Sequence, residues 1–170
     1  MELAPPGTIR GATFGNTRFN GTKFHQGIDL AGEVGTPIYT MFSGTVIKVV
    51  TEQPNRIGED FPNGYNGDKN LAGNRIYISS KVGGGTIEVA YWHLQAGNAV
   101  AKKTNGEYLK VGDQVEAGSV IGYIGITGNA NPNIPHLHLG IRSSGQWTNP
   151  ADYLNATITT TNVKIVTPCD

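Results

Sequence analysis

Cysteine is almost absent from the 170 residues: Cys169 is the only one. No internal disulfide can form, and a cysteine-rich zinc site is excluded. Lying next to the last residue, Cys169 reads as an incidental thiol rather than a nucleophile. Net charge is absent as well, because 13 Lys and Arg balance 13 Asp and Glu. There is no long run of like charge, so binding to nucleic acid or a membrane surface through bulk electrostatics is not expected. No segment approaches about 18 continuous apolar residues, so no membrane span is expected. The stretch MELAPPGTIRG has no apolar signal core. Either the protein is not exported by that route or a signal has been removed. Before residue 150, no segment keeps helical periodicity over three turns. HExxH, GxSxG and P-loop motifs are all missing, so no glutamate base, serine elbow or phosphate cradle is preset.

Glycine, by contrast, is abundant, with 24 residues. Val, Ile, Thr and Tyr fall in short runs between Gly and Asn clusters, the composition of short strands joined by tight turns. The length suits one domain with a hydrophobic core. The expected fold is mostly β: a single domain of antiparallel sheets in a β-sandwich-like arrangement. Strand signals fall at 25–30, 36–42, 44–50, 74–82, 85–94, 111–128 and 135–147. Gly83-Gly84-Gly85 marks a hairpin. Residues 51–73 read as a long surface loop, of the kind that builds functional walls. NPADYL suggests one helical turn started by Pro150. Residues 1–24 look irregular, and the tail 155–170 reads as an edge strand or disorder. The expected division is 1–24, a domain over 25–154, and an extension over 155–170. Segments 34–50 and 111–127 share a Val-Gly start and apolar pairs around a central Gly, which suggests two related β-halves packed together.

The chain has four histidines. His136 and His138 flank Leu137 in PHLHLGI. Strand alternation puts them on one face with Gly140, and sets Pro135, Leu137, Leu139 and Ile141 on the other. In HQGIDL, His25, Gly27 and Asp29 share a face. In EVAYWHL, alternation groups Val89, Tyr91 and His93, with Ala90, Trp92 and Leu94 opposite. Taken alone, His25 and Asp29 read as a surface histidine and a turn aspartate, and His93 as a half-buried, hydrogen-bonded imidazole. Taken together, all four histidines occupy polar strand faces, and one has an aspartate at i+4. Two His and one Asp leave zinc an open fourth position for water, the arrangement of catalytic rather than structural zinc. The remaining two histidines suit supporting or acid–base work, since their unperturbed pKa lies near neutrality.

These motifs resemble the lysostaphin/LytM-type zinc metallopeptidases, peptidase family M23. HQGIDL, YWHL and HLH follow the family order HxxxD, Y-x-H-L, HxH. FGNTR resembles the family's FG-x-R lead-in, and GTPIYTMFSGTVIKV its next hairpin. VGDQVEAGSVIGYIGITGN resembles the run before HxH, and NPADYL the usual end. The resemblance covers about residues 13–154. It implies that His25, Asp29 and His138 bind one zinc ion per chain, with His93 and His136 as catalytic histidines beside it. Tyr91 would stabilise an oxyanion, line the groove or simply pack. It also implies long loops around a substrate groove, and an endopeptidase of bacterial peptidoglycan cross-links or bridges that works outside the cytoplasm or as a phage lysin, with a monomer favoured. Residues 51–73 are longer than the family pattern, which bears on specificity. Residues 1–24 could cross the groove, with Asn16 or a neighbour on the metal in a latent form.

Two alternatives compete. Relatives that have lost metal ligands serve as binding or regulatory proteins of wall remodelling, but all five motif residues are present here. VGDQVEAGSVIG also resembles a lipoyl/biotinyl half-motif. However, the equivalent hairpin YTMFSGT lacks the cofactor lysine, and a carrier module would leave the histidines unexplained.

Overall fold

A computed structural model describes residues 12–18, 20–56 and 71–154, together with the backbone of 156–158 and 163–165. The short alternating runs pair into antiparallel strands, and among the described residues no long helix interrupts them. The centre is a seven-stranded sheet. It contains β3 (Gly27–Ala31), β5 (Gly44–Val50), β6 (Asn74–Val82), β7 (Gly85–Leu94), β8 (Gln114–Val115), β10 (His136–Ser143) and β11 (Gln146–Thr148). Its order is β11-β10-β7-β6-β5-β8, with β3 also paired to β10. The free edge of β10 is shared: β3 takes residues 136–140 and β11 takes 141–143. β6 and β7 are the expected hairpin around Gly83-Gly84.

One face of this sheet is apolar. Ile28, Leu30, Ile76, Ile78, Val89, Tyr91, Leu137, Leu139 and Ile141 are all buried in a single core. The covering layer is a ribbon of β4 (Pro37–Tyr39) on β9 (Val120–Tyr123), with Ile38, Ile121, Ile124, Val100 and Leu109 facing the sheet's core residues. The two similar segments are each other's partners. Gly35 N–H donates to Ile124 O, and Ile124 N–H returns to Thr36 O. In the other half, Gly112 N–H donates to Val46 O, and Val46 N–H donates to Asp113 O. Each Val-Gly turn thus clasps a fully buried aliphatic residue of the opposite half.

The fold class is as expected, and several boundaries differ. The end of the stretch expected to be irregular is ordered: β1 (Gly15–Arg18) and β2 (Lys23–His25) form a hairpin with Gly15 opposite His25. The stretch 25–30 is broken at Gln26 into β2 and β3, and 36–42 shortens to β4. Pro150–Tyr153 is a single 3-10 turn, with the Asn149 side chain accepting from Ala151 N–H. In the tail, Ala156–Ile158 (β12) pairs with Val163–Ile165 (β13) rather than joining the main sheet. Most of the long loop, 57–70, lies outside the described residues, as do 1–11 and the end of the tail. Among the described residues no helix is long and apolar enough to cross a membrane.

The clasp around Ile124 sets an expectation. Its side chain is fully buried between the layers, so Ile124→Ala should cost about 2–5 kcal/mol, read as a lower urea midpoint with an unchanged m-value.

Candidate metal centre and active site

Three strands bring the site together. In register, Asp29 on β3 lies opposite His138 on β10, and His138 lies opposite Trp92 on β7. Alternation puts Asp29, His138 and Trp92 on the face away from the core. The β1–β2 hairpin delivers His25 from one side. His136 begins β10, and its backbone pairs with Ala31.

His93 arrives by a different route. Strand alternation would point it into the core beside Tyr91, yet its φ is +63°. That left-handed conformation costs a non-glycine residue of order 1–2 kcal/mol. It is held by His93 N–H donating to Ala72 O (3.0 Å) and by Gly125 N–H donating to His93 O (2.9 Å). The turn swings the imidazole onto the face of His136 and His138, with ring centroids 4.9 and 6.1 Å away.

The five polar residues are all buried. His25 Nε2, Asp29 Oδ1 and His138 Nδ1 form a triangle with sides of 3.0, 3.0 and 3.2 Å. Three such atoms this close could share a metal ion. Ligand atoms on a tetrahedral zinc ion lie about 3.3 Å apart, so the donor set and its spacing fit that metal. Of the His, Cys, Asp and Glu side chains among the described residues, these three form the one group able to share a metal ion.

Ring tautomers follow from the partners, because a carbonyl can only accept. His25 Nδ1–H donates to Thr13 O (3.0 Å), His93 Nδ1–H to Thr127 O (2.9 Å) and His136 Nδ1–H to Ile134 O (2.9 Å). In each of these rings Nε2 is thereby left as the acceptor nitrogen, and that of His25 already faces Arg18 Nη2. His136 Nε2 lies 3.9 Å from Asp29 Oδ1. His138 is reversed, with Nδ1 toward the ligand triangle and Nε2 buried without a hydrogen-bond partner.

Electrostatics keep the group in working states. Burial pushes the Asp29 carboxyl up, but hydrogen bonds to His138 and His25 outweigh it and hold the group well below the ordinary carboxylate value. Burial pushes His93 well below the ordinary imidazole value, and His136 and His138 add to the effect. Burial also lowers His138, against the pull of Asp29.

Arg18 enters the same cluster from β1. Its Nη2 hydrogen-bonds Asp29 Oδ2 and lies 2.9 Å from His25 Nε2. A metal would compete with it for the His25 lone pair but not for Oδ2. Arg18 was not among the candidate residues, although the FGNTR motif contains it. Asn16, a candidate for the latent position, is exposed on β1 instead. Tyr91 is corrected more firmly. It does not share a face with His93. It is 1% exposed within the core, and its hydroxyl accepts from Met41 N–H (3.0 Å). Trp92, assigned to the apolar face, is the residue that meets the site. Thr127 and Asn74 were also missed. Fully buried Asn74 ties Gln53 and Gln95 together, and its N–H donates to Thr127 Oγ1, so the chain behind His93 is cross-braced.

Residues 23–150 match the model of peptidase family M23. The chain belongs to that family. Solved structures agree. The catalytic domain of the prophage-encoded M23 protein EnpA from Enterococcus faecalis is 27% identical with a TM-score of 0.56, over 84% of this chain and 88% of that one. The catalytic domain of the antimicrobial peptidase lysostaphin from Staphylococcus simulans is 26% identical with a TM-score of 0.53, over 84% and 87%. LytU is 27% identical with a TM-score of 0.57, over 83% and 80%. M23 members are zinc peptidases, and the His25–Asp29–His138 cluster has the make-up of a zinc site.

Two predictions follow from this geometry. Tyr91→Phe should lower stability by about 0.5–1.5 kcal/mol in chemical denaturation while leaving the polar face unchanged, since the hydroxyl's bonds to Met41 N–H and Thr40 Oγ1 lie on the core side. The second concerns pH. His93 and His138 stay neutral when folded, whereas the unfolded chain protonates them below about pH 6.5. A pKa lower in the folded state means that stability is present above that value and lost as pH falls. The metal-free protein should lose up to about 1.4 kcal/mol per histidine per pH unit below 6.5. A Tm that stays flat between about pH 7 and about pH 5 would reject the neutral assignment.

Proposed function

We propose that this M23 chain is a zinc-dependent endopeptidase that hydrolyses peptide bonds in bacterial peptidoglycan, within cross-links or bridges, outside the cytoplasm. One observation carries the reading: three buried ligand atoms converge on a point flanked by two further imidazoles whose Nε2 lone pairs are free. His25 Nε2, Asp29 Oδ1 and His138 Nδ1 would hold the zinc, which supplies Lewis acidity toward a peptide carbonyl and a water acidified toward neutrality.

The chain's own groups do the proton handling. Thr127 O fixes the His93 proton on Nδ1, so Nε2 is a base already oriented and neutral at pH 7. Ile134 O likewise fixes the His136 proton on Nδ1 and orients Nε2. An imidazole that has accepted a proton becomes an N–H donor, suited to a developing oxyanion or a leaving amine. Two such rings in edge contact allow one to accept while the other donates. Asp29, held ionised, sets the negative charge of the centre. The peptidoglycan substrate rests on the family resemblance and on the relative lysostaphin, an antimicrobial peptidase by description.

Digestion of defined muropeptides, followed by mass spectrometry, tests the reading. The purified protein should carry about one zinc per chain and lose cleavage on chelation. His25→Ala, Asp29→Ala and His138→Ala should lose zinc and cleavage together. His93→Ala and His136→Ala should keep zinc but cut at a rate lower by roughly 100-fold or more. Wild-type cleavage in the presence of chelator would overturn the proposal.

A further inference from the structure

His138 differs from the other three histidines in how its ring is held. Metal-binding imidazoles almost always donate their second N–H to a carbonyl, a carboxylate or water, which fixes ring orientation. His25 follows this pattern through Thr13, and His93 and His136 are tied to carbonyls in the same way. His138 Nε2 is buried with no hydrogen-bond partner. Two features hold its ring instead. The Trp92 indole stacks on it, with centroids 4.5 Å apart and planes 21° from parallel. Gly27 abuts the Nε2 edge, where a Cβ would stand 2.8 Å from that atom.

Trp92 is itself fixed. Its Nε1–H donates to Tyr77 Oη (3.1 Å), and the Trp147 ring meets it edge-on at 5.7 Å and 89°. Trp147 lies over Gly140, the residue two beyond His138 on the same face; a Cβ there would fall 2.7 Å from the Trp147 ring. The Arg142 guanidinium covers Trp147 at 5.2 Å and pairs with Glu88 at 3.6 Å.

We propose that Trp92 is the positioning residue of His138, with its flat indole replacing the missing hydrogen bond and aiming Nδ1 at the ligand triangle. The inference rests on the metal reading above. A slab on one ring face, with glycine at the ring edge, leaves the imidazole little rotation about its Cβ–Cγ bond. The Tyr77 hydroxyl and the Trp147 edge transmit the rigidity of the sheet to that slab. The YWHL motif therefore supplies two residues to the centre, Trp92 and His93, which face it together because of the left-handed turn at His93.

The test is zinc affinity, measured by competition with a chromophoric chelator on the full chain, alongside the Tm of each variant. Trp92→Phe keeps a flat ring and should bind zinc within about threefold of wild type. Trp92→Leu keeps apolar bulk without a flat ring and should weaken zinc binding by roughly 10- to 100-fold, the range for lost support of a metal ligand. Tyr77→Phe, which frees the indole N–H, should fall between the two. Equal affinity in the Leu variant and wild type overturns the inference. So does equal weakening in the Phe and Leu variants, because bulk rather than stacking would then be at work. A wild-type protein that binds no zinc overturns the metal reading and this inference with it. Wild-type affinity retained in Trp92→Leu overturns the inference alone.

Discussion

The centre depends on β3 meeting β10 in a single register. Asp29 stands opposite His138, and Gly27 opposite Gly140. Strand side chains alternate, so a slip of one residue would turn Asp29 into the core and expose Ile28. Both faces select against the slip. Ile28 and Leu30 pack beside Leu137 and Leu139 in the core, while the polar face brings together a carboxylate and an imidazole. The backbone selects as well. A Cβ on residue 27 would lie 2.2 Å from Leu139 O. Only glycine lets the strands approach this closely, and the same missing Cβ leaves room for the His138 ring.

Burying the Asp29 carboxylate is costly unless its charge is met by partners. Arg18 takes one oxygen, and His25 and His138 take the other. These contacts come from β1, β2 and β10, so one charge ties the N-terminal hairpin to the sheet. The same burial holds His93 and His138 below the ordinary imidazole value, since a further positive charge there would lack water. What is expensive for stability is useful for chemistry: lone pairs stay unprotonated and fixed in direction.

Much of this arrangement was legible in the sequence, and where the reading failed it failed for backbone reasons. Period-two alternation placed His136, His138 and Gly140 opposite Leu137 and Leu139 because β10 is regular, whereas His25 meets Asp29 across a break at Gln26. The same rule misplaced Tyr91 and Trp92. It carried alternation through His93, whose positive φ breaks it, and no feature of YWHL signals a left-handed histidine. Working back from His93 therefore assigned the wrong face to the two residues before it. Arg18 was missed because its contact depends on the β1–β2 hairpin, in a stretch of Gly, Asn and Thr that reads as irregular. Asn74 and Thr127 act through a network spanning 53 residues, which spacing within a motif cannot reveal. The likeness of segments 34–50 and 111–127 was visible, but not that each half would grip the other.

The hydrogen bond between Asp29 and His138 joins residues 109 positions apart. The triangle of ligand atoms thus depends on non-local pairings, which carry the largest chain-closure entropy. A chain emerging residue by residue has His25 and Asp29 in hand long before β10 exists. Until residue 138 is available and β10 is seated between β3 and β7, no strand holds the third ligand in place. A centre built this way is not assembled while the chain is unfinished, and any chemistry it does waits until its longest-range contacts have formed.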